Sequence, residues 1–210
     1  MSDIPIPYTV AARPDTGLNN GKIGIWLFLA SEVMLFGALF ATYILLRVGA
    51  VEWPHGSHYL NVPLATLNTV VLISSSVTMV MAWYSLKIDQ FNKFRMYMAA
   101  TVGFGGVFLI VKYFEYSHKF HVGELPGKWF HAEELMQYPA ANMYFTLYFL
   151  MTGLHAFHVI VGMSVLIWVA KGIVKGRYSP TYYVPVELGA LYWHLVDLVW
   201  IFLFPLLYLI

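Results

Sequence analysis

Five long apolar runs organise the chain, over residues 23–46, 64–86, 95–116, 143–170 and 187–209, with polar segments between them. A helix rises about 1.5 Å per residue, so crossing the hydrocarbon core takes about 20 mostly apolar residues. Every run reaches that length. None keeps the period-two alternation of a strand, and a membrane barrel needs an even and larger set of shorter segments. The pattern therefore predicts an all-α fold, a polytopic membrane helix bundle with five transmembrane helices. Reading the runs as core helices of a soluble protein fails, because the residues between them supply too little polar surface to coat such a core.

The punctuation agrees with these spans. Pro63 precedes the second run, where a missing amide hydrogen costs little. Asn20 and Gly21 precede the first, Gly172 and Gly176 follow the fourth, and Ser179-Pro180 break the connection to the fifth. Residues 1–20, with Pro5, Pro7 and Pro14, read as a short tail without the basic start and apolar core of a cleavable signal. Residues 21–210 then form one membrane domain. The longest linker is 117–142, and its mixed stretch from Lys128 to Gln137 reads as a short surface helix.

Composition sharpens this picture. Of 210 residues, 60% are hydrophobic and 11% charged, whereas soluble domains carry about 25% charged residues. The net charge of +1 offers no basic field for nucleic acid. The absence of cysteine removes disulfides, thiolate-held iron–sulfur clusters, covalently attached haem and cysteine-bridged copper. Lysine and arginine favour cytoplasmic loops. Arg13, Lys22, Lys87, Lys93, Arg95, Lys171, Lys175 and Arg177 fall on one side, and Arg47, Lys112, Lys119 and Lys128 on the other. That bias puts the N terminus in the cytoplasm and the C terminus outside. Trp53, Trp129 and Tyr208 then fall near the outer interface, and Trp83 and Tyr84 near the inner one.

A carboxylate in hydrocarbon costs at least ~2.5–3.5 kcal/mol, so each one requires a reason. Glu32 lies midway along the first span, His155 and His158 along the fourth, and His194 and Asp197 along the fifth. Residues three apart share a helix face, so each closely spaced pair points one way. Their depths from the cytoplasmic side, roughly 10–22 Å at the helical rise, are compatible with one interior network. Such a network is either proton-active or a packing device between helices. Glu32 alternatively stands apart, towards lipid or a partner subunit. Metal readings are weaker. One haem on His155, His158 or His194 is open on spacing alone, and a di-iron bundle needs two Glu-x-x-His motifs where only Glu115 with His118 matches. His55, His58, His118, His121 and His131 gather on the outer side without a diagnostic zinc spacing. Gly103, Gly105, Gly106, Gly153, Gly162 and Ser74-Ser75-Ser76 predict close helix contacts, and Asn68 a bond to a neighbouring backbone.

Three stretches carry a resemblance. Ile23 to Phe40 reads IGIWLFLASEVMLFGALF, Met151 to Gly162 reads MTGLHAFHVIVG, and Val186 to the end reads VELGALYWHLVDLVWIFLFPLLYLI. Together with PLATLNTVVLISSSVTMVMA from Pro63 and the Glu115-Tyr116 pair, they resemble subunit III of haem–copper terminal oxidases over residues 21–210. The combination of Ser-Glu, Gly-Leu-His-x-x-His and Tyr-Trp-His-x-x-Asp is the specific part. The resemblance implies a subunit without catalytic residues, metal or cofactor of its own, with haems and copper held by subunits I and II. It implies packing on subunit I, support of proton uptake from the inner side, and bound phospholipid. Glu32 matches the family's carbodiimide-reactive carboxylate, and Glu187, His155, His158, His194 and Asp197 match motif positions. The enzyme implied is a proton-pumping cytochrome c oxidase of the bacterial cytoplasmic membrane. The rivals are an accessory chain of a quinol oxidase or nitric oxide reductase, a haem-b subunit that reacts with quinol, and a free-standing transporter.

Three departures stand out. The chain resembles the five-helix form, without the two helices that wall a lipid-filled cleft in the long form. Lys112 stands where the family more often has glutamine. The loop 117–142 is longer than usual, which suits docking of an electron donor or an extra subunit.

Overall fold

Each apolar run becomes a helix, and capping residues set several of the ends. The computed structural model describes residues 11–12, 19–127, 138–174 and 183–210. Helix α1 (Asn20–Gly49) starts where the Asn19 side chain accepts the Lys22 amide at 2.8 Å. A single turn that the sequence pattern did not reveal, α2 (Gly56–Tyr59), leads to α3 (Val62–Lys87). Asn61 caps α3 by accepting the Leu64 amide at 3.0 Å, and Pro63 occupies its first turn. Asp89, at φ 61°, turns the chain into α4 (Phe91–Val122), and Gly123 closes α4 in the left-handed region that glycine tolerates. Helix α5 (Ala141–Val174) precedes α6 (Val184–Phe204). Pro205 cannot donate to the carbonyl four residues back. The chain widens there into a π-helical turn, Pro205–Leu209, with the Ile210 amide on the Pro205 carbonyl at 3.2 Å.

Five of these helices, α1, α3, α4, α5 and α6 with its final turn, are long and apolar enough to cross a membrane, and no strand occurs among the described residues. The protein is thus an integral membrane protein. The helices outrun the apolar runs. Most clearly, α4 continues to Val122 through Lys119 and His121, because cations in a last turn suit the helix dipole. Six residues of the expected linker 117–142 therefore extend α4, and Ala141 and Asn142 open α5. The expected surface helix at Lys128 to Gln137, with Trp129 and His131, lies outside the described residues, as does most of the 1–20 tail.

Helix α6 is the centre of the bundle and packs against α1, α3 and α5; α4 lies along α3 and α5. Half of the last span's apolar window is buried, against 11% for α1. Helix α1 is peripheral, and Leu27, Met34 and Leu45 point away from the protein. In the centre, Trp193 lodges between two glycines. A Cβ on Gly105 would fall 2.8 Å from its ring, and one on Gly162 would fall 3.0 Å from it. The other glycines depart from expectation: Gly103 and Gly106 face open space, and Gly153 has only an ordinary contact with the Tyr116 hydroxyl. Neighbouring substitutions on one helix should therefore diverge. Gly105→Ala overpacks the centre and costs about 1–3 kcal/mol, whereas Gly106→Ala gains about 0.5–1 kcal/mol of helix stability. Melting temperatures of the purified protein check the divergence.

Candidate functional site

The expected single network of intramembrane polar residues resolves into separate clusters. The first joins α1 to α5. His158 Nε2 lies 2.8 Å from Glu32 Oε2, and His158 Nδ1 lies 2.8 Å from the Leu154 carbonyl. Glu32 thus has a partner within the chain and does not stand apart. A carbonyl only accepts, so Nδ1 carries a hydrogen. A hydrogen bond between Nε2 and the carboxyl then requires a proton on one of the two. It sits either on imidazolium facing carboxylate or on the neutral acid facing neutral imidazole. Both forms have the same net charge. Phe36 packs edge-on against the ring at 5.3 Å, and the two side chains are only 12% and 14% exposed.

The second cluster joins α3 to α6. Ser76 Oγ meets His194 Nδ1 at 2.6 Å. Ser75 donates to the Leu72 carbonyl at 2.7 Å and accepts the Trp193 indole N–H at 3.1 Å. Asp197 Oδ2 reaches Ser75 only at 3.4 Å, and its Oδ1 has no hydrogen-bond partner among the described residues. His194 and Asp197 share a helix face as expected, yet the imidazole turns to Ser76 and not to the carboxylate.

His155 belongs to neither cluster. It is fully buried, stacks on Trp200 at 5.3 Å and meets the edge of Phe108, and neither ring nitrogen has a hydrogen-bond partner among the described residues. Three residues advance a helix by 300°, so side chains at that spacing still diverge by 60°. Here that angle separates two interfaces, with His158 on α1 and His155 between α4 and α6. Glu187 pairs with Lys22 at 3.0 Å at the N-terminal ends of both helices, tying α6 to α1. With the partners 31% and 25% exposed, Glu187→Gln should cost under about 1 kcal/mol, readable as a small shift in melting temperature. Asn68 is fully buried, and neither side-chain amide atom has a hydrogen-bond partner among the described residues, contrary to the expected backbone bond.

A further cluster escaped the sequence reading. Lys112 Nζ donates to Glu115 Oε2 at 2.9 Å and to the Tyr208 hydroxyl. Glu115 Oε1 accepts from Tyr148 at 2.7 Å and from Tyr208. The lysine also lies over the Trp200 ring, 4.8 Å from its centroid. Lys112 and Lys119, counted above as outer-loop cations, are both buried; Lys119 pairs with Glu124 and donates to the Tyr59 carbonyl. Tyr208, expected at the outer interface, is fully buried. The available signal was the i, i+3 spacing of opposite charges inside an apolar run. Glu115 is thereby committed to Lys112 and two tyrosines, not to a metal with His118. Among the described residues, no three His, Cys, Asp or Glu side chains meet as a metal site.

These clusters lie on stretches shared with known proteins. The family model of cytochrome c oxidase subunit III matches residues 9–210. Cytochrome c oxidase subunit 3 of Corynebacterium diphtheriae is 33% identical over 213 residues, covering 99% of this chain and 96% of that protein. The haem-copper oxidase subunit I+III of Aeropyrum pernix is 30% identical over 199 residues, covering 90% of this chain and 22% of that protein. A probable quinol oxidase subunit 3 of Staphylococcus haemolyticus is 30% identical over 214 residues, covering 96% of this chain and 94% of that protein. With the match running through all five spans, the chain belongs to the cytochrome c oxidase subunit III family of haem–copper oxidase subunits.

Proposed function

We propose that the chain is the non-redox subunit III of a proton-pumping cytochrome c oxidase, reducing oxygen to water in aerobic respiration. Haems and copper reside in its partner subunits. The observation that carries this reading is the similarity along nearly the whole length to a cytochrome c oxidase subunit 3, joined to the half-buried Glu32–His158 pair. The relative in which subunits I and III are one chain supports direct packing on subunit I; contact with subunit II is part of the same proposal. The bias of cations supports a cytoplasmic N terminus and an outer C terminus in a bacterial cytoplasmic membrane. Two of the four outer cations, Lys112 and Lys119, are used in buried contacts, which widens the asymmetry of exposed charge.

In this reading the chain braces subunit I and supports proton uptake, with the Glu32–His158 pair as its proton-active element and phospholipid against its apolar faces. The quinol oxidase reading shares the fold and rests on the similarity to the staphylococcal protein. Purification through a tag on this chain, with subunit mass spectrometry and reduced-minus-oxidised spectra, tests both. A haem–copper subunit I should co-elute, carrying the haem signal. Oxidation of reduced cytochrome c by a preparation with a copper-bearing subunit II supports the first reading. Oxidation of quinol without that copper supports the second. A chain eluting alone with its own haem overturns both.

A further inference from the structure

A pocket of about 240 Å³ lies between α3 and α6, lined by Val80, Trp83, Glu187, Ala190, Leu191 and His194. Half of these residues bring polar groups, and three of their polar atoms lack a protein partner. The Trp83 indole N–H and Glu187 Oε2 are buried without a hydrogen-bond partner among the described residues. His194 meets Ser76 through Nδ1, and its Nε2 has no partner among the described residues. These groups are spread in depth. Trp83 lies four residues before the end of α3 and Glu187 three residues after the start of α6, about 6 and 4.5 Å along their axes. His194 lies ten residues into α6, about 15 Å on the same measure. The pocket thus leads from that end of the bundle to the cluster of Ser75, Ser76, His194 and Asp197.

We infer that this pocket is a hydrated inlet, whose ordered water bonds Trp83, Glu187 and His194 and puts the α3–α6 cluster in contact with the aqueous phase. An unpaired indole N–H needs an acceptor, and an unpaired carboxylate oxygen needs a donor. Water supplies both from one molecule; an acyl chain supplies neither. Buried polar groups in native proteins are satisfied by protein or by ordered water. A buried water makes about three hydrogen bonds where the site is polar and roomy enough to hold it, and both conditions are met here. Hydrocarbon around the bundle offers these groups no substitute. A metal cation is disfavoured, because Lys22 already pairs with Glu187 at 3.0 Å and Lys87 lies 4.0 Å from the centre of the Trp83 ring. Neither Glu32 nor His158 lines the pocket. The inference depends only on the membrane setting and not on the oxidase reading.

The chain contains no cysteine, so single cysteines can report water along it. His194→Cys probes the deep end of the pocket, and Ala190→Cys probes its wall nearer the mouth with a smaller change. Val77→Cys is the control. It lies ten residues before the end of α3, at the depth of His194, and is 57% exposed on the outside of the bundle. The probe is a charged, membrane-impermeant methanethiosulfonate, applied in turn to each face of native membrane vesicles. It reacts with the thiolate, which forms in water and not in hydrocarbon; a mixed disulfide forms and a sulfinate leaves. The adduct is read as a mass increase of this chain, purified through its tag, whatever co-purifies with it. His194→Cys and Ala190→Cys should react roughly tenfold faster than Val77→Cys, and only from the side on which α3 ends. Ala190→Cys carries the test if His194→Cys fails to accumulate in the membrane. Pocket cysteines as inert as Val77→Cys, the result for a pocket filled by hydrocarbon, would overturn the inference. So would reaction from the opposite side alone.

Discussion

Lys112→Met should be among the most damaging single substitutions in this chain, at about 3–5 kcal/mol, the range for breaking a buried ion pair by removing one partner. The reason is Glu115. Its carboxylate is 5% exposed, too little for solvent to replace the lost ammonium. The hydroxyls of Tyr148 and Tyr208 remain, but they stabilise a charge whose counter-ion has gone. Lys112→Gln should be milder, since an amide still donates to Glu115 Oε2 from nearly the same place. Lys112→Met with Glu115→Gln should recover part of the loss by removing the stranded charge. The measurement is the melting temperature of the purified complex together with retention of this chain through a detergent wash. The order wild type, Lys112→Gln, Lys112→Met supports the account. A methionine variant as stable as wild type would refute it.

Glu32→Gln should leave subunit content and haem spectra unchanged while the oxidase inactivates after several-fold fewer turnovers. Glutamine keeps the geometry, because its amide N–H can donate to a neutral His158 Nε2. What it removes is the carboxyl's capacity to take up and release a proton. Glu32→Ala removes the geometry as well and leaves an imidazole nitrogen unsatisfied, which costs about 1–3 kcal/mol. The two variants separate the roles. If both lose turnover stability but only alanine lowers the melting temperature, the proton matters apart from the brace. If glutamine sustains as many turnovers as wild type with the same proton stoichiometry, the pair is a packing device.

Much of this architecture was legible along the chain. Five apolar runs and Pro63 before α3 are local signals, because helix formation and capping depend on residues within a turn or two. The place of Glu32, His155, His158, His194 and Asp197 midway along their helices was equally readable, since it follows from their position within each apolar run. Partners were not. Whether His158 meets Glu32 or Asp197 depends on how α1, α5 and α6 are rotated about their axes, and a sequence uniformly apolar around each helix leaves that rotation undetermined. The same ambiguity placed Lys112 and Tyr208 at the outer surface, though they meet inside through Glu115.

The sequence by itself determined the class of fold, the number of spans, the residues that had to be explained and the family, because these rest on local patterning and on motifs in order. Only the tertiary structure decided which polar groups meet. It divided one expected network into the Glu32–His158 pair, the Ser75–Ser76–His194–Asp197 cluster and an isolated His155, and it revealed the Lys112–Glu115 pair. The physical reason is that polar contacts between helices act over about 3 Å, a distance set by packing choices such as Trp193 between Gly105 and Gly162.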